Sequence, residues 1–113
     1  MKIVILSSNR ELYSTRRLHE AAIANNHQVE VLDPANCYAG IETGSCTLFH
    51  GGHPIEGVDA VIPRIGASMT FYGAAIVRQF EMMDVFTTVK SQALVRARDK
   101  LRTLQLLAKS GIG

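Results

Sequence analysis

Hydrophobic residues along this chain of 113 residues fall either in short continuous runs or at helical spacing. The continuous runs are rich in β-branched residues and predict strands, at 2–7, 29–34, 58–66 and 85–89. Apolar residues three and four apart predict helices, over 12–24, 69–83 and 91–110. Strands that alternate with helices predict an α/β fold, an open parallel four-stranded sheet with helices on both faces, as in Rossmann-like domains.

Local signals predict where these elements begin and end. Ser8 and Glu11 have the spacing of a capping box at the start of the first helix. The sequence NNH at 25–27 predicts its end, because Asn tolerates the left-handed conformation. Pro63 is expected to end the third strand. Residues 35–57 lack helical periodicity and predict either a small hairpin with a Gly-Gly turn or an irregular excursion.

Composition and charge narrow the class of protein. Nearly half of the residues are hydrophobic, which is typical of one globular domain, 1–113, and no apolar run approaches the roughly 20 residues of a membrane span. Residues 1–89 include six Lys or Arg and nine Asp or Glu. Residues 90–113 include six Lys or Arg and a single acidic residue, Asp99. The basic end predicts an anionic neighbour.

The sequence lacks the signatures of several common sites. The first strand-to-helix turn, SSNR at 7–10, has no glycine and so lacks the dinucleotide-binding fingerprint, and no phosphate loop occurs elsewhere. The histidines at 50 and 53 lack the further convergent ligands that zinc needs, so no metal site is expected. Cys37 and Cys46, without a secretory signal, favour reduced thiols in the cytoplasm, and neither has an identifiable catalytic base.

The closing helix places one cation beside its apolar face. At about 100° per residue, its leucines and alanines form an arc of roughly 140°, and Lys100 falls inside this arc near its edge. Two explanations are open. The lysine stem can lie on apolar surface with its amine in water, or the amine can approach an anion such as a phosphate.

The sequence resembles a known family. The stretch RARDKLRTLQLLAKSGI (96–112) looks like the junction that begins the ATP-grasp region of ATP-dependent carboxylate–amine ligases. Together with DAVIPRIG and TFYGAAIVRQFEM, at 59–66 and 70–82, it resembles the N-terminal pre-ATP-grasp domain of the RimK family, glutamate ligases that modify a small-subunit ribosomal protein. The middle loop, 39–57, departs from the family pattern.

The resemblance implies a larger enzyme. A complete protein would continue past Gly113 into an ATP-grasp domain that uses ATP and Mg²⁺ or Mn²⁺, and this piece alone would be inactive. The substrates would be glutamate and a ribosomal protein C-terminus. A cytoplasmic homo-oligomer would be expected, without membrane or direct nucleic-acid binding.

The resemblance also suggests residue roles. Lys100 matches the lysine that reaches ATP phosphates in the superfamily. Arg64 follows the third strand at the functional edge of the sheet and could hold a glutamate carboxylate, or simply form a surface salt bridge. Thr70 and Tyr72 could add hydroxyls to the substrate site, or serve capping and core packing. No catalytic residue or metal ligand is expected in this chain.

Two other functions compete with the ligase domain. A stand-alone flavodoxin-like binding or regulatory module would have the same alternation of elements. The basic end alone would suit a nucleic-acid binder, but few aromatic residues are available to stack on bases, so this function ranks last.

Overall fold

The computed structural model describes residues 1–42, 45–66, 69–96 and 108–109. The strands and helices in these ranges are β1 (Lys2–Ser7), α1 (Tyr13–Ala24), β2 (Gln28–Leu32), β3 (Cys37–Glu42), β4 (Ser45–His50), β5 (His53–Pro54), β6 (Ala60–Arg64), α2 (Thr70–Met82) and β7 (Phe86–Thr87). A 3-10 turn at Pro34–Asn36 precedes β3, and residues 91–96 are also helical. No helix within these ranges is both long and apolar enough to cross a membrane.

The main sheet confirms the predicted fold class. Its strands, as far as the described residues extend, are four in the order β2-β1-β6-β7, and all neighbours are parallel. The central strand β1 is buried almost throughout, as its continuous apolar run predicts. In register, Leu6 lies opposite Leu32 on one side and Pro63 on the other.

Alternate residues of β1 pack against the two helices on opposite faces of the sheet. Val4 and Leu6 belong to the same buried cluster as Phe80 of α2. Ser7 points to the other face, where its hydroxyl lies 3.1 Å from that of Thr15 on α1. Because side chains alternate along a strand, α1 and α2 cover opposite faces.

A second, antiparallel sheet occupies most of the predicted loop region. Within the described residues its strands follow the order β3-β4-β5, and Gly51 and Gly52 form the β4–β5 turn with φ of 56° and 85°. The predicted Gly-Gly hairpin is therefore confirmed, and the alternative of an irregular excursion is wrong. The strand β3 was not predicted.

The small sheet packs against α2 and extends the core beyond the main sheet. Cys37 of β3 and Leu48 of β4 are buried in one cluster with Ile76 and Phe80 of α2. Helix α2 therefore lies between two sheets. Its face towards the main sheet and its face towards the small sheet are both buried, which explains the apolar character of the helix.

Of three predicted element boundaries, one is confirmed and two are wrong. The capping box is wrong, because α1 begins after Leu12 without a side-chain cap. The predicted end of α1 is confirmed, since Asn26 has a φ of 64°. The prediction that Pro63 ends its strand is wrong, because β6 continues to Arg64. The neighbouring strand β7 pairs only with Ala60 and Val61. Pro63 therefore lies beyond the paired part of β7, where its missing amide hydrogen costs no hydrogen bond to that strand.

Candidate functional site

The carboxyl ends of β1 and β6 form the candidate site. Arg64, the last residue of β6, lies opposite Ser7, the last residue of β1. Side chains paired in register share one face of a sheet, so Arg64 lies on the α1 side. Arg64 is exposed. The ion pairs found among the described residues join Lys2 to Glu30 and Arg17 to Glu20, so Arg64 takes part in none of them. The predicted edge position is thus observed, and the surface salt bridge considered for Arg64 is not seen within those ranges.

The hydroxyl of Ser7 is used inside the domain. Its side chain is 2% exposed, and its Oγ lies 3.0 Å from the carbonyl oxygen of Asn9 and 3.1 Å from Oγ1 of Thr15. The backbone amide of Asn9 also donates to this Oγ. Ser7 therefore fixes the first turn against α1, but it does not cap the helix.

Thr70 is the first residue of α2 and is buried. Its hydroxyl donates to the carbonyl oxygen of Gly66 over 3.5 Å. This contact ties the start of α2 to the end of the segment that follows β6. It places Thr70 beside the candidate edge, in a position that supports the backbone of that edge.

Tyr72 is directed to the small sheet. Its hydroxyl donates to the carbonyl oxygen of Cys37 at the start of β3. Two turns later, Nε2 of Gln79 donates to the carbonyl oxygen of Thr47 in β4 over 3.2 Å. Residues seven apart share one helix face, so this face of α2 holds β3 and β4 through two side-chain hydrogen bonds.

The role of Gln79 was missed from the sequence. Gln79 interrupts the apolar residues near the end of α2 and is only 7% exposed. In the sequence Gln79 follows Arg78 and precedes Phe80, which is an ordinary pattern for a surface helix. Its burial becomes evident only once β4 is known to lie on that side.

The two cysteines are free thiols, and they are not paired with each other in the ladder between β3 and β4. Cys37 lies opposite His50, whereas Cys46 lies opposite Ile41. Burial, and to a lesser extent the nearby Asp33 carboxylate, raises the pKa of the Cys37 thiol to about 11. A thiol with this pKa stays protonated near neutral pH, so Cys37 is unsuited to act as a nucleophile.

The two histidines of the hairpin face each other but do not build a metal site. His50 of β4 lies opposite His53 of β5 in register. In the ranges that the structure describes, no group of three or more His, Cys, Asp or Glu side chains could hold a metal ion. The described residues therefore do not provide a set of ligands for the Mg²⁺ that the family resemblance implies.

The remaining predicted site residue cannot be placed. Lys100 lies outside the described residues, although the helix that should carry it does begin near Ser91, as predicted. The structure therefore brings Arg64 and Thr70 to one edge of the main sheet, and turns Tyr72 towards the small sheet.

The chain is similar to a known domain family and to longer curated proteins. A family model described as the RimK PreATP-grasp domain matches residues 1–94. Over all 113 residues the chain is 60% identical to a probable alpha-L-glutamate ligase of Thioalkalivibrio sulfidiphilus. It is 57% identical to one of Syntrophotalea carbinolica. The chain spans 38% of the length of each relative.

Two solved structures of enzymes share the fold of this chain. One is the macrocyclase MdnC from Microcystis aeruginosa, bound with its precursor peptide MdnA. It has a TM-score of 0.54 and 17% identity, covering 80% of this chain and 38% of that one. Another is a RiPP-associated ATP-grasp ligase of Chryseobacterium gregarium, in complex with ADP and a leader and core peptide. Its TM-score is 0.53 at 18% identity, covering 96% of this chain and 40% of that one. At these identities the likeness concerns the fold.

Proposed function

The chain belongs to the RimK PreATP-grasp domain family, and from that premise we propose that it is the N-terminal domain of an ATP-dependent α-L-glutamate ligase. One observation carries the proposal. The whole chain is 60% identical to a probable alpha-L-glutamate ligase, yet it spans only 38% of that relative's length. The alternative of a stand-alone flavodoxin-like module has no comparable observation in its favour.

The proposed reaction joins a carboxylate to the amine of glutamate. The terminal phosphoryl group of ATP is transferred to an acceptor carboxylate, which gives an acyl phosphate and ADP. The glutamate amine attacks the acyl carbon, the amide bond forms, and inorganic phosphate leaves. ATP use agrees with the ADP held by the related Chryseobacterium ligase. The metal ion, Mg²⁺ or Mn²⁺, would be held outside this chain.

The acceptor in this proposal is a peptide carboxylate. Both solved relatives hold peptides, which supports a peptide as the second substrate. The resemblance narrows the acceptor to the C-terminus of a small-subunit ribosomal protein, modified in the cytoplasm by a homo-oligomer. These finer assignments rest on the family likeness.

Within this chain, Arg64 is the residue proposed to bind substrate. Its guanidinium is exposed at the carboxyl edge of the sheet, where ligands of parallel sheets bind, and it has no ion-pair partner among the described residues. A guanidinium donates two parallel hydrogen bonds to a carboxylate. Arg64 would therefore orient a carboxylate of glutamate or of the acceptor.

Lys100, Thr70 and Tyr72 are proposed to add further contacts to ATP or to the substrates. Lys100 would approach the ATP phosphates from the closing helix and offset their charge. Thr70 would act at the same edge of the sheet as Arg64, and its hydroxyl already binds the Gly66 carbonyl oxygen. Tyr72 would have to release the Cys37 carbonyl oxygen before its hydroxyl could reach a substrate.

Arg64→Gln in the longer enzyme tests the substrate role. We expect the KM for glutamate or for the acceptor peptide to rise about tenfold, because a charge-assisted pair worth about 1.5 kcal/mol is lost. Steady-state kinetics with each substrate varied in turn would measure this change. Arg78→Gln is the matched control, since Arg78 is an exposed arginine of α2. Equal KM values in both variants and the wild type would contradict the role of Arg64.

A further inference from the structure

A small cleft lies between α1 and β2 on the face of the main sheet opposite α2. Its volume is about 170 Å³. It is lined by Arg10, Arg16, His19, Glu20 and Val31. Arg10 follows β1, and Val31 is the second-last residue of β2, so the cleft lies towards the carboxyl edge of the sheet.

Both arginines of this cleft are available to a ligand. Arg10 and Arg16 are exposed, and neither belongs to the ion pairs found among the described residues. The carboxylate of Glu20 lies 3.6 Å from Arg17, a residue that does not line the cleft. The positive charge of Arg17 offsets the negative charge of Glu20. The cleft therefore presents two guanidinium groups that take part in no ion pair among the described residues.

The backbone of the neighbouring turn is not arranged to hold a phosphate. The amide of Asn9 donates to Oγ of Ser7, and the amide of Glu11 donates to Oδ1 of Asn9 over 2.9 Å. The amide of Leu12 donates to the carbonyl oxygen of Asn9. Phosphate loops need such amides free to point at the ligand. Among the side chains that line the cleft, the two guanidinium groups have a fork of donors that matches the two oxygens of a carboxylate.

We propose that the cleft between α1 and β2 binds carboxylate side chains of an acidic peptide, at a site separate from the chemistry. The choice of peptide rests on the proposed function, because each glutamate added to an acceptor leaves one more carboxylate on it. Val31 provides an apolar floor for the methylene groups of such side chains. Arg10 and Arg64 lie at the same edge of the sheet, and the register places Arg64 on the α1 side as well. An acidic tail held in the cleft would thus remain near the edge where its end reacts.

Binding of pentaglutamate to the 113-residue chain, without ATP, tests the proposal. In amide NMR titrations at low salt, we expect shifts around Arg10, Arg16 and Val31, and none of comparable size with pentaglutamine. Arg16→Gln should weaken binding about tenfold, because one charge-assisted contact is lost. Arg10→Gln provides an independent second variant with the same expected direction. Both side chains are exposed, so the fold should be retained.

Arg78→Gln is the matched control, because it removes the same charge from α2 on the other face of the sheet. We expect it to weaken binding less than about twofold, as distant exposed charges are screened. Three results would overturn the proposal: an equal loss in Arg78→Gln, peptide-induced shifts away from the cleft, or inorganic phosphate binding the cleft as tightly as the peptide. Since no ligation is measured, failure here leaves the proposed ligase function unaffected.

Discussion

At the residue scale, two short segments, 63–66 and 70–73, contact each other. The hydroxyl of Thr70 donates to the carbonyl oxygen of Gly66, and Gly73 packs against the side chain of Ile65. A Cβ atom at position 73 would lie 2.6 Å from Cγ2 of Ile65, well inside van der Waals contact. Glycine therefore lets α2 approach the end of β6 closely.

Gly73→Ala should destabilise the domain by about 1 kcal/mol, because the clash with Ile65 outweighs the better helix propensity of alanine. Chemical denaturation of the purified chain would measure the free energy of unfolding. In the background Ile65→Ala the contacting atoms are gone. There, Gly73→Ala should become neutral or stabilising, since only the gain in propensity remains.

Gly66→Ala is the control for this prediction, because within the part of the chain that the structure describes no atom beyond the chain neighbours lies within 4 Å of a Cβ built at that position. It should change the free energy of unfolding by less than about 0.5 kcal/mol. The same loss of stability for Gly73→Ala in both Ile65 backgrounds would contradict the close-approach explanation.

At the element scale, α2 connects the two sheets through its side chains. Tyr72 and Gln79 bind the carbonyl oxygens of Cys37 and Thr47, and Ile76 and Phe80 fill the core between them. The polar contacts fix where the small sheet lies along the helix, because a hydrogen bond is directional and apolar packing is not.

Tyr72→Phe should lower stability by about 1 kcal/mol and the Tm by roughly 4 °C, because the Cys37 carbonyl oxygen loses its side-chain donor. Hydrogen exchange should show faster exchange in β3 and β4 and unchanged protection in β1. Tyr13→Phe is the matched control, since Tyr13 is 76% exposed on α1. Uniform loss of protection in both sheets would contradict a local role for Tyr72.

The sequence was sufficient to predict the main sheet and the helices α1 and α2, because continuous apolar runs and helical spacing are strong signals. It was insufficient for β3. Gly40 interrupts that strand and is typical of a loop, but here a Cβ atom would lie 2.5 Å from Oγ1 of Thr47 and 2.9 Å from the Phe49 ring. The glycine makes room for a cross-strand side chain, which is a tertiary requirement that the pattern of β3 alone does not reveal.

The candidate site was predictable to the extent that it depends on topology. Arg64 could be placed at the carboxyl edge because it follows a parallel strand. The contacts of Tyr72 and the cleft with Arg10 and Arg16 could not be predicted, since both depend on how elements distant in sequence pack together. Lys100 lies outside the described residues, and its role stays a prediction.

At the scale of the whole molecule, the chain corresponds to a part of its relatives. It spans 38% of the probable alpha-L-glutamate ligase of Thioalkalivibrio sulfidiphilus. The central claim of the proposed function is that this domain positions substrates for chemistry carried out by another part of a longer enzyme.

The measurement that tests this claim most directly is ATP-dependent addition of labelled glutamate to an acceptor peptide. It should be made in parallel for the 113-residue chain and for the longer protein that contains it. We expect the longer protein to add glutamate and release phosphate in equal amounts, and the 113-residue chain to do neither. Turnover by the 113-residue chain alone, or a longer protein that consumes ATP without adding glutamate, would contradict the account.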